Sequence, residues 1–411
     1  MKKITQCRVS GGQNLISVLN LGTQELTGVF PRSREQSVTA GPLELVWSPE
    51  SQLLQLGCSF EADEMYGENY GYRSGLNQSM VNHLTSKVAN LERKYGLAAG
   101  DYVVDIGSND ATTLKAYRTG GIKRIGVDPT GRKFASFYPE EIKLIADFFP
   151  TPDLDMHLGG RKVKIFTSIA MFYDLEDPIA FARSIAAMLD RDGVWHLEQS
   201  YMPSMVRMNS YDTICHEHLE YYSLHSIRYV MDRADLRILD VQMNGVNGGS
   251  FALTVAHRDS SWRANDAVIN WLFEQELKMG FDTPAPFRDF ETRVFAHRKA
   301  LRSLIEALNA DGKKVFGYGA STKGNVVLQF CRLGPKDIPF VAEINPDKFG
   351  AFTPGTHIPI ISDQDAAAMK PDYYLVLPWH FKDGIVRREQ EYLAKGGKLI
   401  FPFPEIEIVG G

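Results

Sequence analysis

The chain holds 411 residues, 44% hydrophobic and 23% charged, with a formal net charge of −5 at pH 7. That is enough for two or three globular domains and gives no pointer to nucleic acid. No apolar run approaches the ~20 residues of a membrane span, and the N-terminal Met-Lys-Lys-Ile-Thr-Gln-Cys has no apolar core of a signal peptide. Cys7, Cys58, Cys215 and Cys331 are widely scattered, which argues against a disulfide framework. A cytoplasmic enzyme with no membrane partner is the expectation.

Residues 1–60 read as a small turn-rich unit, punctuated by Gly11-Gly12, Pro31, Gly41-Pro42 and Ser48-Pro49 around short segments at 43–47 and 53–56. A module of this size needs a staple or a larger neighbour. Cys7-Arg-Val-Ser10 and Ser48-Pro-Glu-Ser51 have the spacing of two zinc knuckles, but only one of the four positions is cysteine, and serine is a poor zinc ligand. No metal is expected; packing must hold this corner. The stretch 65–80 is dense in tyrosine, glycine and amides, which suits a binding loop or a surface cover. It leads into an amphipathic helix over 79–95.

The next unit runs over 61–260. An apolar run at 102–104 reads as a buried strand, Asp105 and Gly107 break it into a tight turn, and a helix begins near Thr112. Strand, glycine turn and helix present a nucleotide-sized ligand at the carboxyl edge of a sheet, and Gly107, lacking a Cβ, lets backbone and ligand approach. A second strand, 122–127, ends at Asp128, about 20 residues on, where a ribose-binding carboxylate belongs. The dinucleotide fingerprint G-x-G-x-x-G fails at Asn109 and Thr112. Without that cradle a pyrophosphate cofactor is disfavoured, and S-adenosylmethionine suits the turn Asp105-Ile-Gly107-Ser108-Asn109 better. Asp147 and Phe148, after the run 142–146, either hold an adenine ring or fill core. Strands at 163–168 and 194–198 alternate with helices such as 178–189, predicting a parallel sheet covered on both faces.

A connecting helix is predicted over 282–309, with Phe290, Val294, Leu301, Leu304, Ile305 and Leu308 at helical spacing. A second α/β unit follows within 261–411, alternating strands at 314–318, 340–344, 373–377 and 399–401 with a helix at 322–333. Its first turn, Gly317-Tyr-Gly-Ala-Ser-Thr-Lys323-Gly, puts Lys323 near a helix N-terminus, a place suited to an anion such as a diphosphate.

The sharpest polar cluster is Tyr211-Asp-Thr-Ile-Cys-His-Glu-His-Leu-Glu-Tyr-Tyr222. In an extended segment His216 and His218 would share one side and Glu217 would take the other. The histidines could be metal ligands lacking a third partner, buried structural groups, or a general base with a carboxylate nearby to set its tautomer. Tyrosines alongside and the cofactor-type sheet before it favour the base.

At this point the chain resembles, essentially end to end, the three-domain C-methyltransferases that act on nucleotide-linked 4-keto-6-deoxysugars. The resemblance lies in the degenerate knuckles at Cys7 and Ser48, Tyr70-Gly-Tyr-Arg-Ser74, Asp105-Ile-Gly-Ser-Asn109, His216-Glu-His218 and Asn247-Gly-Gly-Ser250. It continues through Gly317-Tyr-Gly-Ala320, Lys323-Gly-Asn325, Pro354-Gly-Thr-His-Ile-Pro359 and Leu377-Pro-Trp379. It implies an α/β class I methyltransferase core holding S-adenosylmethionine and a C-terminal Rossmann-like domain that helps bind the sugar nucleotide. His218 would be the base with Glu217 as its neighbour, and Tyr72 would lie at the reacting sugar. Substrate contacts would come from Tyr70, Tyr72, Asn247, Lys323, Asn325 and Glu343. Two departures stand out. Cys215 replaces a tyrosine common before His-Glu-His, and the zinc cysteines are reduced to Cys7, so zinc is not carried over.

The expected reaction is deprotonation at C3, beside the C4 ketone, to an enolate stabilised by Tyr72 and His216, followed by methyl transfer. Alternatives are an O- or N-methyltransferase, a nicotinamide-dependent oxidoreductase using the turn at 317–324 with Glu343 as its ribose acid, or a non-catalytic sugar-nucleotide binder.

Overall fold

Apolar residues alternate along the first strands, β1 (Ile16–Glu25), β2 (Ala40–Trp47) and β3 (Leu54–Leu56), and this alternation gives an antiparallel sheet one buried face. A computed structural model describes residues 1–61, 65 and 72–410. The fourth member of the first sheet comes from far along the chain, where Glu220–Tyr221 pairs with β3. A boundary at residue 60 therefore cuts a sheet that the His-Glu-His segment helps complete.

Helix α1 (Gln78–Tyr95) follows the predicted stripe, burying Met80, Leu84, Val88, Leu91 and Tyr95, with Asn77 accepting from the Ser79 amide at its start. The second sheet contains β4 (Tyr102–Ile106), β5 (Lys123–Val127), β6 (Ile142–Ile145), β7 (Val163–Ile169) and β8 (Leu189–Ser200), all parallel. Two more strands, β9 (Leu236–Asn244) and β10 (Ser250–His257), complete it, with β10 antiparallel to both neighbours. The order is β9-β10-β8-β7-β4-β5-β6. The sheet is thus mixed rather than wholly parallel, because a hairpin can add an antiparallel pair without a crossover helix. The chain reverses direction across the sheet at β4, and ligand crevices form at such switch points.

Helix α2 (Ala285–Ala310) bridges to the third sheet. This sheet has the order β13-β12-β11-β14-β15-β16, from β11 (Val315–Tyr318), β12 (Val341–Glu343), β13 (Ile360–Ser362), β14 (Tyr373–Val376), β15 (Lys398–Phe401) and β16 (Glu407–Val409). All pairs are parallel except β15–β16. Helix α3 (Thr322–Phe330) follows β11, with Ser321 capping its start.

The first and third sheets share one core. Leu19, Leu43 and Leu45 lie in the same apolar cluster as Phe287, Phe290 and Val294 of α2 and Val315, Leu375 and Ile400 of the third sheet. This larger neighbour is the staple that the small N-terminal unit requires. Polar seams reinforce it. Gln329 accepts from the Glu25 amide at 2.8 Å and donates to its carbonyl at 3.2 Å, and Asn325 Nδ2 donates to the Thr27 carbonyl at 2.8 Å. Among the described residues no helix is long and apolar enough to cross a membrane.

Asn325 and Thr27 are both fully buried, so removing the amide strands a carbonyl with no water to replace it. Asn325→Ala is expected to lower stability by about 1–3 kcal/mol, read as a lower urea midpoint with fluorescence detection.

Candidate active site

The carboxyl ends of β4, β5 and β6 lie side by side and form one crevice. After β4, Gly107 adopts φ +72°, and a Cβ there would stand 3.0 Å from Met171 Cγ, so the position demands glycine. Asp128, at the end of β5, accepts from the Asn109 amide at 2.7 Å and from the Thr130 amide and hydroxyl at 2.7 and 2.6 Å. It ties two turns together at the crevice. After β6, Asp147 is exposed and accepts from Thr151 Oγ1 at 3.0 Å. Phe148 is 44% exposed, whereas Phe149 packs against Phe181 with centroids 4.9 Å apart. Phe149 therefore fills core, and Phe148 is left free to cover a ring.

Two residues of the β4 turn have inward roles. Ser108 Oγ lies 2.7 Å from Tyr138 Oη, which donates to the Asn109 carbonyl at 2.9 Å. The serine braces the turn from within instead of extending its hydroxyl to a ligand. Asp105 is buried and accepts from Thr167 Oγ1 at 2.5 Å. Burial pushes its carboxyl up to about 7, against the hydrogen bonds of Thr167 and Thr113.

The loop before α1 docks on this same turn. Asn109 Nδ2 donates to the Tyr72 carbonyl at 3.1 Å, the Ser74 amide donates to Asn109 Oδ1 at 3.0 Å, and the Gly75 amide donates to Asp110 Oδ2 at 3.0 Å. Tyr72, half-exposed, thus borders the cofactor crevice. Tyr70 lies outside the described residues. Helix α1 is fastened to the sheet by Glu198, a residue the sequence reading passed over. Its carboxylate meets His83 at 2.6 Å, Lys87 at 2.5 Å and Asn244 at 2.7 Å.

The His-Glu-His segment is not extended. A 3-10 turn spans Tyr211–Thr213, and the His218 amide donates to the Cys215 carbonyl at 3.2 Å. The three side chains consequently reach different neighbourhoods. His216 is fully buried, with Nε2 3.2 Å from the Gly41 carbonyl and its ring edge-on to Phe60. Burial pushes its pKa down to about 4. It is core of the N-terminal unit, and the expected role in stabilising an enolate does not hold. Glu217 faces the same unit. Thr27 Oγ1 lies 3.5 Å from Glu217 Oε2, and a Cβ on Gly28 would stand 2.4 Å from Oε1. It is not the group that orients His218.

That group is the Thr213 carbonyl, 2.8 Å from His218 Nδ1. A carbonyl only accepts, so Nδ1 carries the proton and Nε2 keeps its lone pair. Tyr173 packs edge-on against the imidazole with centroids 4.3 Å apart. Burial, then the charge of Lys323, pushes His218 down to about 3, so the ring is neutral near pH 7. A cavity of ≈ 10 Å³ adjoins the ring. It has room for about one water and for no larger ligand.

The C-terminal unit supplies the facing groups. Lys323 Nζ donates to the Asn247 carbonyl at 3.2 Å, so Asn247 contributes through its backbone, in a left-handed turn at φ +55°. Trp379 Nε1 donates to Asp212 Oδ2 at 2.7 Å, and a Cβ on Gly248 would lie 3.0 Å from Trp379 Cη2. His380 also feels Lys323; burial and that charge push it down to about 3. Two expected substrate ligands are otherwise committed. Asn325 is the clamp on Thr27 described above. Glu343 accepts from the Ala320 amide at 2.8 Å and from the Ile344 and Asn345 amides at 2.8 and 2.9 Å. Glu343 thus ties the second glycine turn to the end of β12 as Asp128 ties the first to the end of β5.

The degenerate knuckles come together without a metal donor set. Cys7 Sγ and Ser51 Oγ are 3.2 Å apart, and Ser48 and Ser51 are buried. Burial raises the Cys7 thiol, and hydrogen bonds with Ser10 and Ser51 more than reverse it. One thiol and three hydroxyls do not fit zinc, which takes four sulfur or nitrogen donors in structural sites. Among the described residues no three His, Cys, Asp or Glu side chains are placed to share a metal.

Asp105 gives the crevice a pH signature. The folded chain holds this proton more tightly than the unfolded one, whose carboxyl has the ordinary value of 3.8. Its stabilising effect is complete below about pH 4 and is lost as pH rises to about 7. At ~1.4 kcal/mol per pH unit the loss approaches about 4 kcal/mol. Asp105→Asn is expected to flatten the stability profile between pH 4 and 7, measured by urea unfolding without cofactor.

Family models match residues 7–66 (a zinc binding domain), 79–241 (Methyltransferase domain) and 245–404 (C-methyltransferase C-terminal domain). The chain is 31% identical to C-methyltransferase NovU of Streptomyces niveus over 413 aligned residues, covering 100% of this chain and 98% of that one. An S-adenosylmethionine-dependent methyltransferase from Clostridium acetobutylicum is 10% identical at a TM-score of 0.33, over 43% of this chain and 92% of the other. Magnesium protoporphyrin IX methyltransferase from Synechocystis PCC 6803 is 15% identical at 0.32, over 43% and 79%. Full-length identity to NovU, the matched domains and the class I strand order together establish that the chain belongs to the three-domain C-methyltransferase family.

Proposed function

We propose that this C-methyltransferase uses S-adenosylmethionine to methylate a nucleotide-linked 4-keto-6-deoxyhexose at C3, with His218 as the base. The observation that carries the reading is the His218 imidazole. It is neutral, its tautomer is set by the Thr213 carbonyl, and its Nε2 has no partner among the described residues.

Gly107, Asp128, Asp147 and Phe148 are the residues that would hold S-adenosylmethionine, which supplies an electrophilic methyl group when bound. The fit rests on a turn where a Cβ has no room and on an exposed aromatic at the edge of the next strand but one. Tyr72 borders the same crevice through the contacts of its loop with Asn109.

A C–H bond beside a ketone is a weak acid, and an imidazole whose pKa is pushed down is a modest base. Each pH unit of mismatch costs ~1.4 kcal/mol, so proton removal needs the enolate oxygen stabilised as charge develops. Holding carbon and methyl donor in one cleft removes much of the remaining entropic barrier. Methylation at oxygen or nitrogen would not call for a base aimed at carbon.

His218→Ala is expected to keep S-adenosylmethionine affinity within about threefold while turnover falls about 100- to 10,000-fold. The assay uses labelled S-adenosylmethionine with a panel of nucleoside-diphosphate 4-keto-6-deoxyhexoses, and NMR locates the methyl. Turnover at the wild-type rate in the variant, or label on oxygen in the wild type, overturns the proposal.

A further inference from the structure

We infer that Lys323 is a catalytic residue of this reaction: its ammonium binds the substrate carbonyl oxygen that becomes the enolate oxygen when His218 removes the neighbouring proton. The inference rests on the C-methyltransferase reading above and assigns Lys323 a role different from the diphosphate anchor its place in the sequence suggests.

The anchor role is weakened by what already occupies the turn. A helix N-terminus binds an anion through free backbone amides. Here the Ala320 amide is held by Glu343 Oε2 at 2.8 Å and the Gly324 amide by Ser321 Oγ at 3.0 Å. Lys348 Nζ caps the turn's other side, donating to the Ala320 carbonyl at 2.6 Å. A carboxylate and a serine hydroxyl thus take two of the amides that an anion would use there.

Lys323 instead reaches across the seam toward the methyltransferase unit. Among the described residues it donates one hydrogen bond, to the Asn247 carbonyl, and an ammonium has three donors. Burial pushes Lys323 down, and the charge of Asp212 opposes that shift; Asp212 is buried in the turn that also supplies the Thr213 carbonyl to His218. Trp379 occupies Asp212 Oδ2, while Oδ1 has no partner among the described residues. The cation therefore stands in the cleft of the base with donor capacity left over. The Asn247 it reaches adjoins Gly248, where a Cβ would lie 3.0 Å from the Trp379 ring that holds Asp212 beside Thr213, and its charge bears on His218 and His380 alike. A positive charge beside the base also answers the reaction's main difficulty. It favours the enolate anion as it forms and opposes the imidazolium formed with it, so it helps by lying closer to the oxygen than to Nε2.

The step balances as follows. The C–H bond next to the carbonyl breaks and its proton goes to His218 Nε2. The C–H electron pair becomes the new carbon–carbon π bond, and the carbonyl π pair moves onto oxygen, held by Lys323 Nζ–H, which stays protonated. When the carbon takes the methyl group, the carbonyl re-forms and the pair of the broken C–S bond remains on sulfur.

The test compares wild type, Lys323→Met and Lys323→Arg in three measurements. Deuterium wash-in at the substrate carbon is followed in D2O with no methyl donor. Turnover is measured with S-adenosylmethionine. Calorimetry gives the affinities for UDP and dTDP, and for S-adenosylmethionine as a check on folding. Lys323→Met is expected to slow wash-in and turnover together by about 100-fold or more, with nucleotide affinities within about threefold. Lys323→Arg is expected to recover part of both rates. Wild-type wash-in in Lys323→Met overturns the assignment, as does a loss confined to UDP and dTDP affinity. A wild-type enzyme that neither exchanges deuterium nor methylates carbon instead refutes the proposed function itself.

Discussion

The hydrogen bond from His218 Nδ1 to the Thr213 carbonyl is the contact on which the site depends. It is made within five residues of chain, yet nothing local would hold the carbonyl in place. The turn that presents it is secured from the far side of the molecule, where Trp379 of the C-terminal unit grips the adjacent Asp212. Through one indole N–H, a domain remote in sequence sets the tautomer and direction of an imidazole in the methyltransferase unit. A backbone carbonyl leaves that imidazole less basic than a carboxylate partner would.

The same seam brings every unit to one place. Glu217 reaches Thr27 and Gly28 of the first sheet, Asn325 and Gln329 hold the edge of that sheet, and Lys323 reaches the hairpin turn at Asn247. The short N-terminal sheet could not stand on its own core. Sharing an apolar cluster with α2 and the third sheet fixes its position relative to the cleft. Stability and site geometry are thus carried by the same contacts.

Several motifs keep their shape while their usual occupant is replaced by protein atoms. At the second glycine turn Glu343 receives the Ala320 amide, and at the knuckles Ser51 and Ser10 hydrogen-bond Cys7 where zinc would sit. In both cases a buried polar group must be satisfied by something, and a side chain does it permanently. Relatedness in sequence therefore marks these corners, but the donor atoms decide what each one can bind.

The amino-acid sequence by itself determined the layered α/β plan, the strand–turn–helix at Gly107, the acid at Asp128, and the amphipathic stripes of α1 and α2. These depend on local periodicity and on single residues with strong backbone preferences. It also brought forward His218. Residue spacing alone could not separate His218 from His216, which only the family resemblance did, because their difference depends on a turn at 211–218 which packing against the first and third sheets selects. It could not show that Asn325 and Glu343 are committed to backbone groups, that Glu198 fastens α1, or that the hairpin of β9 and β10 completes the sheet. Nor did it mark Asp212, Trp379 and Tyr173 as neighbours of the base. Each of these depends on residues far apart in the chain becoming neighbours, and a contact between distant residues leaves no periodicity in either partner's own sequence.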